Sequence, residues 1–261
     1  MNNIIEKIVE NKKKEVESNK KRNPLNSFID EISPSNRDFK TTIKKKEKIN
    51  LIAELKFSSP NMKQKLNYSN KLVAIKKISE LYNMYAKAIS VITDEKYFDG
   101  SLNYLKIARQ NTTIPLLRKD FIIDAYQIYE ARYWGADAIL LIAGILKEKE
   151  LNEFFTIAKG LNMDCLFEAH TKQDMIKILS TDAEIIGINN RNLKNMEIDL
   201  NTTIQLAKEI PKDIVIVSES GIKNKKDIDF LNNANIDAVL VGTAIMDAID
   251  KNMEEKIKGL L

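Results

Sequence analysis

The chain has 261 residues, 44% of them hydrophobic, and a formal charge of +4 from 41 basic and 37 acidic side chains. That supports one large domain with a sizeable core, and no apolar run approaches the roughly 18 residues of a membrane span. The near-balanced charge argues against nucleic acid and suits a small anionic substrate. The lysine clusters at 12–14, 44–46 and 223–226 read as solvated faces and loops.

Cysteine and histidine narrow the chemistry. Cys165 is alone, so there is no internal disulfide, and as a small core residue it fits a reducing compartment. His170 is also alone, which argues against a histidine-built metal centre or a Ser-His-Asp triad; it reads as a loop or capping residue. Acid–base work then falls to lysine and carboxylates. The N-terminus, MNNIIEKIVENKKK, has no apolar signal core, so a cytoplasmic protein is expected.

In chain order, residues 1–49 form a helical extension. Ile4, Ile5, Ile8, Val9 and Val16 make a helical stripe ended at Asn23-Pro24, and a second short helix is expected within 37–47. Apolar strand-like runs follow at 50–56, 87–92, 114–118, 137–142, 164–168, 184–190, 213–218 and 237–241. Helical periodicity fills the gaps, as in Leu102, Leu105 and Ile107, or Ile204, Ala207 and Ile210. Runs such as AILLIA and IVIVS are apolar throughout, the mark of parallel strands covered on both faces. Eight such runs with helical connectors predict an α/β fold, a (β/α)8 TIM barrel with an N-terminal helical extension, as a single domain over 1–261.

Active sites of such barrels lie at the C-terminal ends of the strands. Strand 1 ends in Glu54 and Lys56, which share a face because side chains alternate. Strand 3 exits with Arg118, Lys119 and Asp120, strand 5 with Glu168, strand 6 with Asn189 and Arg191. On strand 3 alternation does not say whether Arg118 or Lys119 looks inward. Converging charges of this kind can poise a lysine or glutamate for proton transfer near neutral pH. Strands 7 and 8 exit into Ser220-Gly221 and Gly242-Thr243, in the loops where this barrel cradles phosphate; Ser59 could close that cup. Phe98 and Phe121, on exit loops, are candidates for an aromatic substrate pocket.

The segments IAELKFSSP, SVITDEKYFDGS, PLLRKDFIID, LFEAHT, IGINNRNL, VSESGI and VLVGTAIM resemble, in order, those of indole-3-glycerol phosphate synthases. The resemblance implies ring closure of 1-(2-carboxyphenylamino)-1-deoxyribulose 5-phosphate with loss of carbon dioxide and water, without a cofactor. It implies Lys119 and Lys56 as catalytic lysines, Glu168 as catalytic glutamate, and Glu54 as the partner of Lys56. Asn189 and Ser220 match further active-site positions. Ser59, Ser220, Gly221, Gly242 and Thr243 match phosphate positions, and Phe98, Phe121, Arg191 and Leu193 match pocket positions. The chain departs from the family after strand 1. Phe57-Ser58-Ser59-Pro60-Asn61-Met62-Lys63 stands where a basic residue or two and Ser-Pro-Ser-x-Gly are usual. A monomer is expected, with a dimer as the alternative. The competing readings are another phosphate-binding barrel enzyme, such as an isomerase or a Schiff-base aldolase, and an inactive sugar-phosphate-binding homologue.

Overall fold

The structure, a computed structural model, describes residues 4–58, 70–192, 196–248 and 252–261. Its parallel strands close into a barrel in chain order: β1 (Asn50–Leu55), β2 (Ala88–Ile92), β3 (Leu116–Lys119), β4 (Ala138–Ile142), β5 (Asp164–Ala169), β6 (Ile185–Asn189), β7 (Val215–Glu219) and β8 (Ala238–Val241). Closure is made by β8 on β1, with Ile52 beside Leu240 and Ala53 beside Val241. The expected TIM barrel is therefore present. Its third strand starts at Leu116 rather than at 114, because Pro115 has no N–H to give to the ladder.

The apolar strands hide an alternation that the barrel makes plain. Ile52, Ala88, Leu117, Leu140, Leu166, Val217 and Leu240 fill the interior, while Ala53, Ile89, Leu116, Ile139, Phe167, Ile216 and Val239 pack outward under the helices. Those helices are α3 (Lys71–Tyr85), α4 (Glu95–Phe98), α5 (Leu102–Gln110), α6 (Tyr126–Tyr133), α7 (Glu148–Gly160), α8 (Lys172–Leu179), α9 (Asn201–Leu206), α10 (Lys225–Leu231), α11 (Thr243–Met246) and α12 (Met253–Lys258). Side-chain caps start several of them: Asn70 accepts from the Val73 N–H, and Thr171 and Asp174 form a capping box on α8.

The extension wraps both ends of the barrel. At the base, α2 (Phe39–Ile43) is the short helix expected within 37–47, started by Asp38, whose side chain accepts from the Thr41 N–H. Its Phe39 and Ile43 are wholly buried against the lowest inward residues, a plug stabilising the fold by about 1.5–3 kcal/mol per side chain. At the mouth lies α1 (Ile4–Arg22). No helix among the described residues is long and apolar enough to cross a membrane.

Candidate active site

At the mouth, the apolar inward rows give way to polar side chains. Beyond Leu117 comes Lys119, beyond Leu166 Glu168, beyond Val217 Glu219, beyond Gly187 Asn189, and beyond Ile52 Glu54. The strand register thus settles the choice on β3: Lys119 follows Leu117 inward. Arg118 points outward, 3.0 Å from both Glu130 and Asp120. Lys119 Nζ lies 2.5 Å from Glu219 Oε2 and 3.3 Å from Glu168 Oε2. Asn189 hydrogen-bonds the Glu168 carboxylate. His170 is buried beside it, with Nε2 3.2 Å from Glu168 Oε1. Lys56 Nζ pairs with Glu54 Oε1 at 2.7 Å.

One ammonium here faces two buried carboxyl groups, and their protonation separates accordingly. Burial pushes the Glu219 carboxyl up to about 8; Lys119 opposes the rise and Glu168 adds to it. Burial acts on Glu168 in the same direction, but Lys119, His170 and the Asn189 hydrogen bond outweigh it and hold Glu168 below the usual glutamate range. Burial would lower Lys119, yet the carboxylates of Glu219, Glu168 and Glu54 hold it above the ordinary lysine range. Near neutral pH the trio is an ammonium, a carboxylate and a carboxylic acid. The group poised near neutrality is therefore Glu219, which the sequence reading passes over. The apolar run stops at 218 and its exit is read for Ser220-Gly221, although the strand-end test that singles out Glu54 applies equally to Glu219, the last residue of β7.

Two glycines make room for these acids. A Cβ on Gly187 would sit 2.2 Å from Glu219 Oε1, and one on Gly242 2.3 Å from Glu54 Oε1. Above the trio opens a cavity of about 400 Å³. Lys119, Glu168 and Asn189 form its floor, and Phe98 and Phe121, with ring centroids 6.1 Å apart, stand on one side. Arg191 and Ser220 line it from the loops after β6 and β7, and Ile4, Ile5 and Ile8 of α1 cover it.

α1 is fixed there by a charge at the centre of its apolar stripe. Lys12, which the sequence places in a solvated cluster, is wholly buried between Ile8 and Val16. Its ammonium is 2.9 Å from Asp120, 3.0 Å from Asp94 and 2.9 Å from Glu15. Burial alone would raise Asp120, but Lys12 and Arg118 hold it well below the usual carboxylate range. Asp94 also caps α4, accepting from the Tyr97 N–H at 2.9 Å, and so sets the place of Phe98.

The family model for indole-3-glycerol phosphate synthase matches residues 5–260. The chain belongs to the indole-3-glycerol phosphate synthase family. It is 43% identical to the synthase of Alkaliphilus metalliredigens, over 98% of this chain and 99% of that one. With the synthase of Caldanaerobacter subterraneus subsp. tengcongensis it shares 41% over 98% of each. The tryptophan biosynthesis protein TrpCF of Buchnera aphidicola subsp. Diuraphis noxia is 42% identical across 99% of this chain, which spans 55% of that longer protein. Among solved structures, a thiamine phosphate pyrophosphorylase from Pyrococcus furiosus is similar in fold alone. It has a TM-score of 0.60 and 15% identity, over 85% of this chain and 96% of that one.

The expected synthase residues divide into groups. Lys119, Glu168, Asn189, Ser220, Phe98, Phe121 and Arg191 share the cavity. Glu54 and Lys56 form their pair at the end of β1, outside its lining, and Glu54 still acts on Lys119 through its charge. Ser220 and Gly221 form a turn with φ of 65° and 91°, and Gly242 and Thr243 lead into α11. Ser59 and Leu193 lie outside the described residues, as does all of the departing stretch after Ser58.

Proposed function

We propose that Lys119, Lys56 and Glu168 are the acid–base groups of an indole-3-glycerol phosphate synthase, with Glu219 as a further proton carrier. The chain is a carboxy-lyase of tryptophan biosynthesis that converts 1-(2-carboxyphenylamino)-1-deoxyribulose 5-phosphate to indole-3-glycerol phosphate, carbon dioxide and water. The observation that carries the residue roles is the position of Lys119 Nζ. It is held by Glu219 and Glu168 on the floor of a cavity with aromatic rings on one side and Ser220 on the other.

The Lys119 ammonium stays charged and can polarise the substrate ketone as the aromatic ring carbon attacks it. Loss of carbon dioxide restores aromaticity. Dehydration then needs an acid for the departing hydroxyl and a base for the nitrogen proton. Glu168, kept ionised, suits the base, and Lys56, oriented by Glu54, suits the acid. Phe98, Phe121 and the isoleucines of α1 offer the carboxyphenyl ring an apolar berth, beside Arg191. Ser220, Gly221, Gly242 and Thr243 form the proposed phosphate cup; Ser59, expected to join them, lies outside the described residues. The protein works, on this reading, as a monomeric cytoplasmic barrel spanning 1–261 with residues 1–49 as its extension.

Product formation followed by indole fluorescence tests this reading. Lys119→Ala should lower kcat by about 10³-fold, within the range typical of a lost general acid. Near-wild-type turnover by that variant would remove Lys119 from the ring closure.

A further inference from the structure

At the end of β6 two consecutive asparagines face opposite ways. Asn189 points into the cavity; Asn190 points out of the barrel and is 2% exposed. The Asn190 side chain is saturated by neighbours. Its two Nδ2 hydrogens are shared among Ser218 Oγ at 3.0 Å, the Glu219 carbonyl at 2.9 Å and the Ser220 carbonyl at 3.0 Å. Its Oδ1 accepts from the Thr203 N–H at 3.2 Å and the Thr203 hydroxyl at 2.8 Å. Ser218 and Thr203 hydroxyls complete the ring at 2.8 Å, and both residues are wholly buried. The Asn190 N–H adds a bond to the Glu219 carbonyl at 2.9 Å. A buried carboxamide costs free energy unless it is paired, and this one is paired along both edges.

What it grips is the turn that follows β7. Ser220 has φ of 65°, a conformation a side chain adopts only at a cost, and Gly221 follows at 91°. Such a turn persists when its surroundings over-determine it, and the carbonyls on either side of the Ser220 nitrogen and α-carbon are the ones that Asn190 holds. The same grip fixes the peptide that bears the Glu219 side chain, and hence its contact with Lys119.

We infer that Asn190 is a positioning residue for this active site: it sets the 219–221 turn, and through it both the Ser220 end of the phosphate cup and the acid beside Lys119. The inference rests on the phosphate role proposed for Ser220 and Gly221. Asn190→Asp is the informative variant, because it keeps the size and the acceptor toward Thr203 but loses all Nδ2 donors. Thr203→Val removes the hydroxyl from the other side and serves as the structural control.

Inorganic phosphate binding by calorimetry, steady-state kinetics and thermal unfolding are read on both variants. Asn190→Asp should weaken phosphate binding and raise KM by about tenfold, the equivalent of one lost hydrogen bond near 1.4 kcal/mol. Its kcat should fall as well. Thr203→Val should lower Tm while leaving phosphate affinity within about twofold, since the Nδ2 donors remain. A folded Asn190→Asp protein with wild-type phosphate affinity and KM would overturn the inference. Wild-type protein that binds neither phosphate nor a phosphate-bearing product at this site would instead overturn the phosphate reading beneath it.

Discussion

Glu219 carries a proton that the ordinary chemistry of glutamate would not leave there at neutral pH, and that proton has two measurable consequences. With its carboxyl at about 8, activity should fall as pH rises through that region and the Lys119 ammonium gains a second full carboxylate. Glu219→Gln keeps a neutral group of the same shape; its kcat profile should lose the alkaline limb near pH 8. The stability sign follows from linkage. The unfolded chain releases this proton in the usual glutamate range, so between about 4.5 and about 8 the folded state holds more protons and stability falls as pH rises. Glu168, held low, contributes with the opposite sign, losing its share only as pH falls through its depressed value. Tm measured from pH 5 to 9 should therefore decline less for Glu219→Gln than for wild type. Gly187 tests the same acid from the other side. Gly187→Ala would drive a methyl to 2.2 Å from Glu219 Oε1, so the carboxyl must swing off Lys119. A kcat loss of about 10²-fold with KM nearly unchanged is expected; equal kcat would show that the acid's position does not matter.

At the scale of elements, α1 is a wall of the cavity as well as a packed helix. Ile4, Ile5 and Ile8 cover the opening, and Lys12 clamps the helix onto the exits of β2 and β3 through Asp94 and Asp120. The Tyr97 hydroxyl donates to the Lys7 carbonyl at 3.3 Å and Lys96 Nζ to Asn11 at 3.0 Å, but these exposed bonds are weak anchors beside the buried ion pairs. Lys12→Met leaves two buried carboxylates without their ammonium, a loss of about 3–5 kcal/mol. KM should rise about tenfold with kcat within a few-fold, since the Lys119 trio is untouched. Limited trypsin cleavage between Lys13 and Arg22 should then precede global unfolding. Unchanged KM and unchanged cleavage would reduce α1 to a structural helix. The apolar stripe of α1 was legible in the sequence, because Ile4, Ile5, Ile8 and Val16 repeat at helical spacing. Lys12 was not, since a lysine between Asn11 and Lys13 reads as solvent-facing and the two buried acids that hold it, Asp94 and Asp120, lie 82 and 108 residues away.

Across the whole molecule, what could be read from the chain and what could not differ by the range of the interaction. The eight-stranded barrel and the mouth residues Glu168 and Asn189 follow from local apolar runs and from the rule that sites sit at strand ends, whereas Lys119 was separated from Arg118 only by the family resemblance. Inward parity on blunt strands, the protonation of Glu219 and the contacts of Asn190 depend on register between distant segments, which no local pattern encodes. The base of the barrel shows the same dependence, with stability in place of activity. Asp137, at the start of β4, takes hydrogen bonds from Ser35 at 2.7 Å, Arg132 at 3.1 Å, Arg109 at 2.8 Å and the Leu116 N–H at 3.0 Å. Asp164 accepts from the Lys40 N–H and Asp237 from the Lys45 N–H, so three strand-start aspartates stitch the 35–45 segment and its α2 plug across the base. Asp137→Ala would leave two part-buried guanidiniums facing each other and free the segment at Ser35. A loss of about 3 kcal/mol is expected, lowering Tm by roughly 6–12 °C for a chain of this size. Because Asp137 lies at the opposite end of the strands from Lys119, the folded variant should keep wild-type kcat and KM. Thermal unfolding and kinetics on one preparation decide it: a kinetic defect at temperatures well below Tm would mean that base and mouth are coupled through the strands, and the division of this barrel into a stabilising end and a reacting end would fail.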